Sequence, residues 1–358
     1  MTSLRAASPV VFRRAWFVPC SEIEQELVSL PNEHTSTGHS DEAQLDVLVS
    51  VVALAYCSGS TIVETLDSLA AQTHLRIELV LCDDGSPDDT VMRAENWLAQ
   101  FGARFERIEI VRHAHNVGIV SNLDSGLARA YGEWIKPIAC DDLLEPNAIE
   151  DFLSAAARSR SDWLFSQCTV FAQRDGRCQE LGNFVAPPVA ESLANGDVAA
   201  LRLLMRQSNV LPAPGVFYSR HFLDACGGLD LRLRHLDDWP LWLRGLRTGR
   251  RPHWVPKALV RYRISGTAIT NKVDEQATPP LLFPDEWRFV PLYLRQELSP
   301  LQYWDLRLHQ WRKLLTLHAL GNRRSALPVT APLQALSPLA WGRAFERLIG
   351  RSTNARTG

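Results

Sequence analysis

The sequence predicts an α/β fold, a mostly parallel central sheet flanked by helices, and three observations carry that expectation. Continuous apolar runs rich in β-branched residues alternate with segments whose apolar residues recur at helical spacing. Two carboxylate doublets, Asp83-Asp84 and Asp141-Asp142, stand where such runs end, the edge at which open α/β sheets bind ligands. A third, Asp237-Asp238, opens a helical segment. Adjacent carboxylates repel unless a cation or a proton intervenes, so the three pairs suggest a site for a metal and a charged ligand.

Residues 1–44 carry scattered apolar residues without a sustained period and end in a polar run, Glu33 to Glu42, as an arm and linker would. Residues 45–284 are expected to form the main domain. Val47 to Leu54 is a continuous apolar run, the pattern of a strand buried on both faces. Thr61, Glu64, Leu66, Leu69 and Ala70 follow at helical spacing, then a second buried strand from Ile77 to Cys82 that ends in Asp83-Asp84-Gly85-Ser86. Strand, helix, strand within about 35 residues is a βαβ unit with a right-handed crossover.

The alternation continues through a helix over 88–101, a strand at Ile108 to Val111, a helix over 119–131 and a strand at Trp134 to Ile138. Past Phe152 the pattern loosens: a strand at Trp163-Leu164-Phe165, a Gly- and Pro-rich stretch, and a return to the sheet between Val210 and Ser219. A helix from Leu236 uses Trp239, Leu241, Trp242 and Leu246 as its apolar set and stops at Gly249. Asp237-Asp238 would then sit at its N-terminal end, where the helix dipole favours negative charge. Beyond Asp285 the chain is helical in character, with Trp304, Leu308, Trp311 and Leu315 spaced by three and four, and residues 301–358 hold nine Lys or Arg against two acids. Residues 285–358 are therefore expected to be a basic helical appendage.

Bulk properties set limits. At 358 residues and 46% hydrophobic content the chain can bury a large core, and a net charge of -2 argues against nucleic-acid binding. Seven cysteines without a C-x-x-C pair fit neither a disulfide framework nor a zinc knuckle and favour a reducing compartment. No run approaches the roughly 20 apolar residues of a spanning helix, and no apolar signal core opens the chain, so the expected location is cytoplasmic.

These residues, in this order, resemble the family 2 glycosyltransferases over about Leu45 to Thr270. Val49-Ser50-Val51-Val52 with Tyr56 is similar to that family's opening strand and turn, and Glu64 to Thr73 to its first helix. Asp83-Asp84-Gly85-Ser86-Pro87-Asp88-Asp89-Thr90 resembles its nucleotide-recognition strand end, and Asn116-Val117-Gly118-Ile119 the turn after it. Gly132-Glu133-Trp134-Ile135-Lys136 leading to Cys140-Asp141-Asp142 resembles the metal-binding strand, and Gly227-Gly228-Leu229-Asp230 with Asp237-Asp238-Trp239 the helix that carries the base. Each motif alone is weak; together and in order they are specific.

The resemblance implies a nucleotide-diphospho-sugar transferase fold and inverting transfer from a nucleoside diphosphate-sugar, of UDP or dTDP type, to a hydroxyl of a glycan or lipid-linked acceptor. It implies that Asp84 accepts the imide N–H of uracil or thymine; a carboxylate capping the next helix is the plain alternative, a part Asp83 or Ser86 could take instead. Asp142 with Asp141 would hold Mg²⁺ or Mn²⁺ bridging the diphosphate, since a hard cation takes one or two carboxylates and completes its shell with phosphate. Asp238 would be the general base, and Asp237 could exchange roles with it. Lys136 would face phosphate or donor sugar, and Tyr56 would stack on the base; a solvated lysine and a tyrosine covering the sheet end are the plain alternatives.

Three departures weaken the match: Cys57 beside the first Tyr, Ala139 where the family often has a further Asp, and Ser265 where it has a His. They keep open a nucleotide-sugar-binding protein without turnover. A nucleotidyltransferase is less favoured, because Ala55 to Ser60 lacks the basic residues of a phosphate loop. The span-free architecture resembles, by analogy, cytoplasmic enzymes of bacterial surface polysaccharide or lipopolysaccharide assembly, with peripheral contact to the inner membrane expected through the basic tail, where Trp341, Phe345, Arg343, Arg347 and Arg351 share a segment. A helix packed on the main domain is the alternative there. His113 and His115, two apart, are expected on one face of a strand, as surface histidines.

Overall fold

A computed structural model describes residues 46–174, 177–206, 208–264 and 281–321, together with Pro332 and Leu336. The expected N-terminal arm, Ser265 and the Trp341 to Arg351 segment lie outside the described residues. The strands are β1 (Val49–Ala55), β2 (Ile77–Asp83), β3 (Arg107–Arg112), β4 (Trp134–Ala139), β5 (Leu143–Leu144), β6 (Trp163–Arg174), β7 (Arg177–Asn183), β8 (Val216–Ser219) and β9 (His253–Arg263). The helices are α1 (Ile62–Ala70), α2 (Thr90–Phe101), α3 (Ile119–Leu127), α4 (Ala148–Ser159), α5 (Pro187–Ala194), α6 (Val198–Met205), α7 (Arg220–Ala225), α8 (Asp238–Arg247), α9 (Phe283–Phe289) and α10 (Pro300–Ala319), with a π-helical turn at Val290–Leu294.

The strands join in one sheet of order β3-β2-β1-β4-β8-β6-β9-β5, with β7 on β6. Pairing is parallel through β3, β2, β1 and β4 and again between β6 and β9. The β8 strand runs antiparallel between β4 and β6, so the α/β architecture is as expected but its sheet is mixed.

Side-chain alternation explains why the first strands read as unbroken apolar runs. Val49, Val51, Ala53 and Ala55 of β1 pack with α1, α2 and α4 on one face of the sheet, while Val52 packs with α3 on the other. Both faces are dry, and each fully buried Val, Leu or Ile contributes about 1.5–3 kcal/mol. The α3 helix comes close enough that a Cβ on Gly126 would stand 2.5 Å from Cys82 Sγ and 2.6 Å from Val52 Cγ1. Because α1 and α2 lie on one face and α3 on the other, the winding direction reverses between β1 and β4, and a crevice opens at their carboxyl ends.

The later half is held by aromatics. Trp163 stacks on Phe222 at 4.7 Å and Trp242 at 5.6 Å, which fixes α8 against β6 and α7. Phe289, Val290, Tyr293 and Leu294 join the same buried cluster as Trp242. Two local expectations are corrected. The strand at 163–165 continues for 12 residues to Arg174 because β9 pairs along it, and β3 ends at Arg112, so His113 and His115 occupy the following loop. Among the described residues no helix is long and apolar enough to cross a membrane.

Candidate active site

Three chain segments bring carboxylates to the crevice. The first is the end of β2. Asp84 is buried, and its carboxylate accepts the backbone N–H of Val117 at 2.6 Å and of Gly118 at 3.1 Å. That turn needs glycine: Gly118 has φ +96°, and a Cβ there would stand 2.3 Å from Arg234 Cγ and 2.7 Å from Arg234 O. Asp84 thus ties the loop after β3 to the sheet. Asp83 accepts the Ser86 N–H at 3.0 Å through Oδ2, while its buried Oδ1 has no partner. Asp83 Oδ1 is thus a second buried acceptor at this strand end, beside the Asp84 carboxylate to which the resemblance gives the base contact. Tyr56, just past β1, is half exposed.

The second segment follows β4. Asp142 is 3% exposed, and its Oδ1 accepts the Arg263 N–H at 2.8 Å. The Arg263 guanidinium, itself buried, donates to Asp141 O and Gln173 Oε1 at 2.7 Å each and pairs with Glu64. It lies 4.6 Å over the Phe171 ring. Burial raises the Asp141 carboxyl despite the Arg263 charge, and burial together with the Asp141 charge lifts Asp142 well above the ordinary carboxylate range. Lys136 is fully buried in β4, and its ammonium donates to Pro137 O and Pro214 O at 2.7 Å each. Burial pulls it down to about 8, against the opposing pull of Cys168 and Asp142. One of its donors therefore ties β4 to the turn before β8 while another stays within β4, and its charge lies near Asp142.

The third segment is the start of α8. Asp238 accepts the Trp239 N–H at 2.6 Å through Oδ1 and the Asn209 side-chain amide through Oδ2. Trp239 in turn donates its indole N–H to Met205 O at 2.8 Å, so the helix start is anchored to α6. Burial, reinforced by the Asp238 charge, pushes Asp237 up to about 8, and burial raises Asp238 too, opposed by the Trp239 and Asn209 bonds.

A cavity of about 150 Å³ brings the second and third segments together: Asp142, Asp237 and Asp238 all line it, with Ala139, Tyr218 and Trp242. The Tyr218 hydroxyl and the Trp242 indole N–H are buried there without partners. Asp83, Asp84 and Tyr56 do not line this cavity. Four contributors escaped sequence reasoning. Asn209 and Tyr218 sit in or beside short irregular stretches with no motif, and Asp83 was assigned a capping role. Arg263 stands two residues before Ser265 in the sequence, and its guanidinium contacts depend on β6 lying beside β9.

The family model described as "Glycosyl transferase family 2" matches residues 50–223. The chain is 26% identical over 228 residues to a Bacillus subtilis protein described as glycosyltransferase EpsE, covering 63% of this chain and 76% of that one. It is 25% identical over 225 residues to the B. subtilis protein described as teichuronic acid biosynthesis glycosyltransferase TuaG, covering 63% and 82%. The crystal structure of S. aureus TarS 1-349 in complex with UDP-GlcNAc superposes with a TM-score of 0.52 at 15% identity, covering 80% of this chain and 79% of that one, a likeness of fold. The chain spans 44% of the longer TarS structure. Residues 50–223 thus match the family 2 glycosyltransferases, and the strand-end acids and the α8 doublet are set in a sheet of this order around that stretch.

Proposed function

We propose that this protein transfers a sugar from a nucleoside diphosphate-sugar, of UDP or dTDP type, to a hydroxyl of a glycan or lipid-linked acceptor, with inversion at the anomeric carbon. The observation that carries the proposal is the convergence of Asp142 with Asp237 and Asp238 on one cavity, from the end of a strand and the start of a helix. In a single displacement the acceptor hydroxyl attacks on the side of the sugar opposite the diphosphate, and the base and the leaving group must occupy opposite sides of the donor.

Asp238 is the proposed base. Its two hydrogen bonds from Trp239 and Asn209 fix the carboxylate and favour the ionised form, while burial keeps it basic enough to take a proton. Asp237 shares that site and its charge. The donor's base is received at the Asp83-Asp84 strand end, where Asp83 Oδ1 is an acceptor awaiting a donor such as the imide N–H of uracil, and Tyr56 offers a ring to stack on. Lys136 lends positive charge near Asp142 without leaving its buried position.

The donor set after β4 fits a divalent cation. Asp141 and Asp142 are adjacent carboxyls whose burial opposes ionisation, and a hard cation relieves that conflict while needing one or two carboxylates beside phosphate oxygens. Bound there, Mg²⁺ or Mn²⁺ would neutralise charge on the departing nucleoside diphosphate. Ala139 contributes no third acid.

Residues 45–284 serve as the catalytic domain in this proposal, with 1–44 as an arm and 285–358 as a basic appendage. The B. subtilis relative named for teichuronic acid biosynthesis supports a role in bacterial surface polysaccharide assembly, carried out in the cytoplasm and in peripheral contact with the membrane. Calorimetric titration with UDP, with and without Mn²⁺, tests the donor site in the wild type and in Asp142→Asn. Metal-dependent binding that the variant loses is expected. Equal binding by both proteins, or none for UDP, dTDP and GDP alike, would sink the proposal.

A further inference from the structure

Outside the cavity, α6, α8 and the segment after the π-helical turn meet in an unusual charge arrangement. Arg202 Nη2 donates to both Glu297 oxygens, at 2.8 and 3.0 Å, Arg206 Nη2 to Oε2 at 3.2 Å and Arg247 Nε to Oε1 at 2.9 Å. Three guanidinium charges surround one carboxylate, an excess of two positive charges at contact distance. A staple between helices would be served by one or two arginines; a third adds repulsion without a new partner.

Donors are also left over. The Nε–H groups of Arg202 and Arg206 are buried and without partners. The carboxylate is only 7% accessible, while the three arginine side chains remain 36%, 30% and 30% accessible, so the excess charge faces solvent and the compensating charge does not. Planar guanidiniums converging on one acceptor recognise tetrahedral oxyanions, whose several oxygens accept paired N–H groups, and here the Glu297 carboxylate holds that position.

The cluster is close to the proposed base. Arg206 is three residues from Asn209, whose amide holds Asp238, and a fully extended chain covers at most about 3.6 Å per residue, so their backbones lie within roughly 11 Å. Arg247 closes the helix that Asp238 opens.

We propose that Arg202, Arg206 and Arg247 form a phosphate-binding site that anchors a phosphate group borne by the acceptor. The site itself stands on geometry alone; assigning its phosphate to the acceptor rests on the proposed function. Glu297 occupies the site in the absence of ligand and tempers its affinity.

The test is calorimetric titration of the full-length chain at fixed ionic strength with inorganic phosphate, glucose 1-phosphate and, as control, glucose. Wild type is expected to bind both phosphates in the millimolar range or tighter and to ignore glucose. Glu297→Gln, which removes the competing carboxylate, should bind about tenfold tighter, whereas Arg206→Gln should bind at least tenfold weaker. A merely structural cluster gives neither change, and a folded Glu297→Gln protein without a gain overturns the site. Should that variant fail to fold, equal phosphate binding by wild type and Arg206→Gln overturns it instead. Binding of inorganic phosphate but not glucose 1-phosphate overturns the assignment to the acceptor. UDP titrations on the same samples separate the two proposals: intact UDP binding without phosphate binding removes this site alone, and the reverse result removes the donor site alone.

Discussion

The sheet from β3 to β4 and the region from β6 to α8 handle their carboxylates in opposite ways. In the first, Asp84 is buried but satisfied by two backbone N–H groups, so its charge serves the architecture. In the second, Asp237 and Asp238 are adjacent and desolvated, and burial raises both carboxyls, Asp237 to about 8. A carboxylate that accepts backbone donors is locked, and one that is buried beside its own kind is poised to exchange a proton. In the proposed function the first region recognises and the second reacts. Arg234 joins them, accepting the Val120 N–H through its carbonyl at 3.1 Å and donating to Asn116, while Asp285 accepts its backbone N–H at 2.8 Å.

The largest expected effect tests the reactive side. Asp238→Asn keeps the shape and removes the proton acceptor, so kcat should fall by roughly 10²–10⁴ while UDP affinity stays within twofold. Steady-state kinetics beside calorimetry decide it; a parallel loss of donor binding would show that this doublet also belongs to recognition.

On the recognition side the effect should appear as stability. Asp84→Ala leaves two backbone N–H groups, those of Val117 and Gly118, without their acceptor, at a cost of about 2–4 kcal/mol. Urea unfolding measures it. A loss under about 1 kcal/mol would mean that water replaces the carboxylate and that the turn is not locked.

The contrast also explains what the sequence disclosed. Parallel strands buried on both faces are apolar at most positions, and each must end where the chain turns, so β1, β2 and β4 and the acids beyond them are visible as local patterns. The later region depends on pairings remote in sequence: β8 inserts between β4 and β6, and β9 runs along β6. No local period announces that Asn209 will reach Asp238 or that Tyr218 will line the cavity beside Asp237. The Asp237-Asp238 doublet was legible because it opens an amphipathic helix; its desolvation was not, because the walls come from other strands.

A smaller effect sharpens the role of Asn209. Its amide bond lowers the Asp238 carboxyl, so Asn209→Ala should move the acid limb of the kcat/KM profile to higher pH and reduce the rate at neutral pH about tenfold. Asn209→Gln would restore part of the shift if its longer amide reaches the carboxylate. A fall in rate with an unmoved limb would instead assign Asn209 to substrate contact.

The dependence of stability on pH separates the two regions most directly. Burial holds Asp237 at about 8, whereas an unfolded chain would ionise it near 3.9. Across that window the folded protein keeps a proton that the unfolded chain releases, so stability is greatest below about pH 4 as far as this group is concerned and declines as pH rises through 8. Activity should climb over the same range, because the free enzyme must shed a proton from the pair before Asp238 can accept another, and the pair titrates as a unit. Asp237→Asn should flatten the decline in denaturant midpoint between pH 5 and 8. Asp84→Asn, outside the cavity at the other end of the site, is the comparison variant that leaves the pair in place. Equal flattening by both variants would mean that the proton is held by the crevice as a whole, and the division between a recognising and a reacting half would have to be abandoned.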